Sequence, residues 1–437
     1  MASGKHSDRR ENDKQDFFSL RHPEWLRLRE SYLFDPLSAR KLLKLAYLTA
    51  ALVMPESMKR KLYPFAARLR TLLMARSDSS AVTPYHVNTL QPLLMQRPRI
   101  VHALANFATG GSSRLVVDLI EHLGHRYEQE VLTGLNPSPP HYTGVKVHSF
   151  PRHAGSDNIL AYLSAFRPSL LHVHYWGESD RAWYQQVFSA AKRLRCRVIE
   201  NVNTPVDPYF GDMVAQYVYV SDFVRRTFGR DDGLSRTIYP GCNFDVFARR
   251  DTSVPPDDCI GMVYRLEADK LDERSIDVFL KVAQRRPGTR ILIVGGGTFL
   301  GRYSAAAAKA GVSGSFTFTG YVPYHALPSL YEQMSIFVAP VWKESFGQVS
   351  PFAMHMAIPV VGYDIGAIPE IIGDRELLSA PGDSEGLAGV IIALLDDRQR
   401  RLAIGKKNRD RAEALFSVQA MIDRYAQLYG SLLRGEA

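Results

Sequence analysis

From residue 98 onward the sequence keeps repeating one unit: a short apolar run, a turn, an amphipathic stretch, and another apolar run. "RPRIVHALANFATGGSSRLVVDLIEHLG" opens the series, and "YEQEVLTG", "VKVHSF", "PSLLHVHYWG", "CRVIENVNT", "AQYVYVSDFVRRTFG" and "SRTIYPGCNFDVF" continue it. Apolar runs this short suit strands buried on both faces, and helices between them predict a parallel sheet covered on both sides. "ARRDTSVPPDD" (248–258) is polar and proline-bearing, the composition of a hinge. The pattern then restarts: "CIGMVYRL", a helix over 273–285, "TRILIVGGG", a helix over 300–311, "SFTFTGYV", a helix over 325–334, "IFVAPV", a helix over 348–357 and "IPVVGYD". From Ser384 the tail reads as helical. The expected fold class is α/β, with Rossmann-like domains over 98–247 and 258–415 facing a central cleft. Ligands of such sheets bind at the carboxyl ends of the strands.

Residues 1–97 stand apart. They hold 17 Lys and Arg against 9 Asp and Glu, which is eight of the nine net positive charges of the 437-residue chain. Within 37–76, nine basic residues face a single acid, Glu56, and alternate with Leu, Met, Tyr and Phe. A basic α-helical N-terminal extension of this kind suits an anionic membrane surface or a homo-oligomer contact. Because the rest of the chain is nearly neutral, no nucleic-acid partner is expected. The first residues, "MASGKHSDRRENDKQDFF", are too polar for a secretory signal, and the apolar run 42–54 falls short of the roughly 20 residues that span a bilayer. Three scattered cysteines fit a reducing compartment. A cytoplasmic protein, soluble or peripheral on the inner face of a membrane, is the expectation.

Arg265 and Lys270, in "GMVYRLEADK", leave the carboxyl end of the second domain's first strand. A paired-donor guanidinium and a point-charge ammonium at that place suit a diphosphate, unless Glu267 or Asp269 claims them. "KESFGQVS" adds a helix start whose amides, around Ser345, Phe346 and Gly347, favour an anion. Glu344 would repel phosphate, so backbone amides or sugar hydroxyls are its natural partners. "TGGSSR" places Gly110 and Gly111 in a strand-to-helix turn where a ligand can approach the backbone. It is not GxGxxG, which argues against a dinucleotide. His172 and His174 share a strand face, but with no third ligand in view a core or cleft-lining role is expected and no metal site.

Taken in order, "GMVYRLEADK", "ILIVGGG", "FTFTGYVPYHALPSLYEQMSIFVAPVWKESFGQVSPFAM", "IPVVGYDIGAIPEII" and "LLSAPGDSEGLAGVIIALLDD" resemble the donor half of the family 4 glycosyltransferases, which have the GT-B fold. The resemblance spans roughly 98–437. It implies transfer of a hexosyl group from a nucleoside-diphosphate sugar to a glycan or lipid-linked acceptor, with retention and with neither metal nor cofactor. A closing helix over 416–437 would return toward the first domain. By the same resemblance Arg265 and Lys270 hold the diphosphate and Glu344 the sugar hydroxyls. The amides near Phe346 and Gly347 face the sugar or distal phosphate, and Gly110 and Gly111 the phosphate or acceptor. Tyr321 and Val322 lie near the base, and His174 and Asn203 on the acceptor and sugar side. Two positions depart from the family. Phe352 stands where a second glutamate usually binds the ribose diol, leaving Gln348 or Ser350 to hold it, and Asn203 stands where a histidine is frequent. These departures favour an alternative, a GT-B-like scaffold or binding subunit without turnover.

Overall fold

The computed structural model describes residues 97–151, 155–209, 211–247 and 258–435, all within one unit that runs from Leu94 to Ala437. The basic helices expected over 37–76 and nearly all of the hinge over 248–258 lie outside the described residues.

Two sheets, each entirely parallel, organise the chain. The first comprises β1 (Arg99–Leu104), β2 (Glu128–Thr133), β3 (Val147–Ser149), β4 (Leu170–Tyr175), β5 (Val198–Val202), β6 (Val214–Tyr219) and β7 (Ser235–Thr237), in the spatial order 3-2-1-4-5-6-7. The second comprises β8 (Cys259–Val263), β9 (Arg290–Val294), β10 (Phe316–Phe318), β11 (Ile336–Ala339), β12 (Val360–Tyr363) and β13 (Leu378–Ser379), in the order 10-9-8-11-12-13. In both, the order reverses beside the first strand, the place where doubly wound sheets open a crevice. Strand β4 is buried at every position, which is why "LLHVHY" carries no polar alternation beyond its two histidines.

Helices were expected at lengths that tertiary packing trims. The stretch at 273–285 is a 3-10 turn, Glu273–Ile276, followed by an α-helix, Asp277–Arg285. That at 348–357 is only Val349–His355, closed by Ala357 in the left-handed region. The tail forms three helices, Ser384–Asp396, Arg398–Phe416 and Val418–Arg434.

The last helix belongs to the first domain's core. Its buried face, Met421, Ile422, Tyr425, Leu428, Tyr429 and Leu432, packs on Ile100, Leu115, Leu119, Leu170, Ile199 and Val218. Burying side chains of this size contributes about 1.5–3 kcal/mol each, so the helix is integral to that domain.

Candidate active site

The carboxyl ends of β8 and β11 bring Lys270 and Glu344 together. Lys270 lies in the loop after β8, and its carbonyl accepts from the Trp342 amide at 3.1 Å, which fastens this loop to the one after β11. The Lys270 ammonium donates to Glu344 Oε1. That same oxygen accepts from the amides of Ser345 at 3.0 Å and Phe346 at 3.3 Å. Glu344 is 2% exposed, and its second oxygen, Oε2, has no partner among the described residues. Two glycines make room for it. Gly347 has φ +75°, and a Cβ there would lie 2.5 Å from Oε2. Gly366, at φ +57°, lets its segment close over the Glu344 carbonyl, which accepts from the Ala367 amide at 3.0 Å. The result is a buried carboxylate with one oxygen paired and the other buried without a donor.

Several expectations need correction. Arg265 does not converge on this pair: its side chain is 77% exposed and binds Asp269 at 2.6 Å, four residues on. Lys270 is likewise engaged, by Glu344, so neither cation stands free for a diphosphate in this structure. The Glu267 carboxylate turns instead to Thr298, accepting from its amide and hydroxyl at 2.9 and 2.7 Å, and thereby closes the glycine turn after β9. The amides of Ser345 and Phe346 point at Glu344's own carboxylate and not outward to an anion. Gln348 donates its side-chain amide to the Gly241 carbonyl at 3.1 Å, across to the segment after β7, and Ser350 is fully buried. Tyr321 is 85% exposed and Val322 partly buried beside the second core. Gly110 and Gly111 are exposed, with nothing within 4 Å of where a Cβ would stand.

Phe352 is buried in an aromatic cluster. Its ring stacks on Phe247 with centroids 4.0 Å apart and planes 11° from parallel, and Tyr324 and Phe244 meet it edge-on at 6.2 and 6.3 Å. A carboxylate here would face aromatic rings on three sides.

His174 does not line a cleft. It is fully buried, as are His172 and His102, and the three offer ring nitrogens within 4.8 Å of one another. The third histidine, absent from the sequence reading, comes from β1, where His102 pairs in register with His172. Gln129 meets His102 Nε2 at 2.9 Å, the Tyr429 hydroxyl meets His172 Nδ1 at 2.8 Å, and His102 Nδ1 lies 3.3 Å from His174 Nε2. Burial pulls all three below the ordinary imidazole range, His102 to about 4, and their mutual proximity adds to this for His172 and His174. Through the Tyr429 hydroxyl the trio joins the first sheet to the last helix. Asn203, partly buried, accepts from Asn201, which in turn accepts from the Tyr425 hydroxyl.

One residue that sequence reasoning passed over joins the domains. Glu370, in the short helix Ile368–Ile372, accepts from the amides of Asp222 at 2.8 Å and Phe223 at 2.9 Å and from the Tyr239 hydroxyl at 2.9 Å. The only sequence signal was a proline and an acid in a helix's first turn, which marks a helix start and nothing more.

Two parallel-sheet domains closed by a helix returning to the first define the GT-B fold. It is shared with Anabaena Alr3699/HepE in complex with UDP and glucose, at a TM-score of 0.62 and 18% identity over 76% of this chain and all of that one. Residues 247–411 match the family described as glycosyl transferases group 1. Among curated relatives, the 2-deoxystreptamine glucosyltransferase of Streptomyces kanamyceticus is 29% identical over 35% of this chain and 40% of its own length. The lipopolysaccharide core biosynthesis mannosyltransferase LpsB of Rhizobium meliloti (strain 1021) is 28% identical over 40% of this chain and 52% of its own. The chain thus spans about half of these relatives.

Proposed function

We propose that the protein is a retaining glycosyltransferase that moves a hexosyl group from a nucleoside-diphosphate sugar to a glycan or lipid-linked acceptor, without metal or cofactor. Polysaccharide or glycolipid synthesis at the cytoplasmic face of a membrane is the proposed setting; no helix among the described residues is long and apolar enough to cross one. The observation that carries the reading is the unpartnered Oε2 of buried Glu344. An acceptor-only oxygen out of water demands donors, and the hydroxyls of a sugar supply them. Lys270 is ion-paired with the other oxygen of the same carboxylate, and in this reading it meets the diphosphate attached to the sugar.

Reaction breaks the bond from the anomeric carbon to the diphosphate oxygen, and the electron pair leaves with the diphosphate. The acceptor oxygen bonds the same carbon on the same face and passes its proton to the departing phosphate. Lys270 stabilises the charge that develops. Arg265 joins it by releasing Asp269, an exposed ion pair worth only about 0–1 kcal/mol.

A second reading, a binding or scaffold subunit, is favoured by Phe352, whose stacked ring offers a ribose no acceptor. A panel of UDP-, GDP-, ADP- and dTDP-sugars separates the two. The enzyme reading expects one donor to raise the melting temperature and to be slowly hydrolysed, with Glu344→Ala and Lys270→Ala abolishing turnover. Stabilisation without turnover in the presence of candidate acceptors supports the scaffold, and no stabilisation by any donor refutes both.

A further inference from the structure

The amino ends of the first sheet's strands, opposite the proposed site, form a basic edge. Two open pockets lie along it. One, of about 520 Å³, is lined by Arg97, Arg99, Arg167, Ser164 and Ser169 at the starts of β1 and β4. The other, of about 430 Å³, is lined by Lys192, Arg195, Arg197, Asp212 and apolar side chains at the starts of β5 and β6. Strands β1, β4, β5 and β6 are consecutive neighbours, so the pockets share one rim. Arg99 is neutralised by Glu128 at 3.1 Å, while Arg97 and Arg197 donate to the carbonyls of Gly124 and Leu432, which carry no charge. The side chains of Arg167, Arg195 and Lys192 have no ion pair or hydrogen bond among the described residues.

Two of these arginines occupy positions that resist them. Arg167 and Arg195 cap the helices Ser156–Phe166 and Arg181–Leu194 at φ +52° and +54°. Glycine is the residue that left-handed helix ends favour, and any residue with a Cβ is strained there. Both helices end at this edge, and both keep a long cation where the backbone asks for none. Like charges gathered this way repel one another unless an anionic surface balances them.

We propose that this edge docks on anionic phospholipid headgroups, with Arg167 and Arg195 as its principal contacts. The sequence before Arg97 carries a net charge of the same sign. Strand β1, six residues long, then holds the carboxyl end of the first sheet about 20 Å from the bilayer. That distance favours an acceptor extended outward from the membrane over one lying in its surface.

The test uses the full chain and vesicles of phosphatidylcholine alone or three parts to one with phosphatidylglycerol, read by sedimentation. The double variant Arg167→Gly with Arg195→Gly leaves the N-terminal extension intact and relieves both strained caps. Its melting temperature is expected to stay level or rise, while partition onto the anionic vesicles falls roughly thirtyfold, from the loss of two surface cations. Arg167→Asn with Arg195→Asn, which left-handed caps also tolerate, should behave alike. Replacement by lysine should retain binding. Sedimentation of the glycine variant equal to that of the parent protein would overturn the proposal. So would equal binding to phosphatidylcholine alone, or release from anionic vesicles by millimolar inorganic phosphate at constant ionic strength, which would make the edge a phosphate site. None of these readouts involves a sugar donor, so they stand whether or not the glycosyltransferase reading does.

Discussion

Replacing Glu370 tests whether a single carboxylate holds the two domains in register. Its two oxygens take three donors from the first domain, the amides of Asp222 and Phe223 and the Tyr239 hydroxyl, all between 2.8 and 2.9 Å. The negative charge also pushes the Tyr239 hydroxyl's pKa upward, after burial, the larger cause. Its own helix is held independently, because Arg411 donates to the carbonyls of Glu370 and Ile371 and touches neither carboxylate oxygen. Glu370→Ala should therefore leave the second domain folded. A hydrogen bond to a charged group contributes about 1.5–3 kcal/mol, and three on one partly buried carboxylate are not additive, so a loss of about 2–4 kcal/mol of interdomain association is expected. That corresponds to roughly a thirtyfold to thousandfold shift toward opened domains. Glu370→Gln keeps the shape but turns an NH2 group toward a donor, and should fall between the two. Spin labels at exposed positions Ala182 and Ala305, one per domain, in a Cys196→Ser background report the interdomain distance by pulsed dipolar spectroscopy. A broadened, longer distribution in Glu370→Ala is expected. An unchanged distribution would falsify the role assigned to this carboxylate.

Other residues give equally direct tests. Gly347→Ala drives a Cβ to 2.5 Å from Glu344 Oε2 and should abolish nucleotide-sugar stabilisation while the circular dichroism spectrum stays native; retained stabilisation means Oε2 is not the sugar contact. Phe352→Ala opens the aromatic cluster and should cost about 3–5 kcal/mol in urea unfolding, and a loss under 1 kcal/mol would show the stack to be loose. Glu200 is fully buried, and burial raises its carboxyl to about 8. Because the folded state then holds a proton that the unfolded chain has released, stability should fall between pH 4.5 and about 8 by up to about 1.4 kcal/mol per unit, a slope that Glu200→Gln removes. The buried histidines act in the opposite direction. Their stabilising contribution is complete above pH 6.5 and is lost as pH falls toward about 4 for His102, so acid should loosen the helix Val418–Arg434 before the second domain unfolds, as hydrogen exchange would show.

The sheets were legible because parallel strands buried on both faces leave an unmistakable run of apolar residues, and β4 and β8 are recognisable from sequence alone. Local turn chemistry was legible too: a glycine three residues after Glu344 announced a turn there. What escaped was pairing at a distance. Nothing in "RIVHAL" says that His102 will stand in register with His172, since register between parallel strands is set by the packing of everything between them. Nothing in "KESFG" says whether a carboxylate will bind outward or fold back on its own amides; that depends on Lys270, 74 residues earlier. Arg265 and Asp269 are a plainer lesson. Four residues apart across a turn, they meet as readily as on a helix, and the acid at that spacing argued for the pair the structure contains.

The helix Val418–Arg434 also sets the order in which the molecule can be completed. A ribosome delivers β1 through β7 first, yet the hydrophobic face they share with Tyr425 and Tyr429 stays uncovered until the helix Val418–Arg434 emerges. During that interval Ile100, Leu170 and Ile199 lie open to other chains, which is where a nascent first domain is exposed to aggregation.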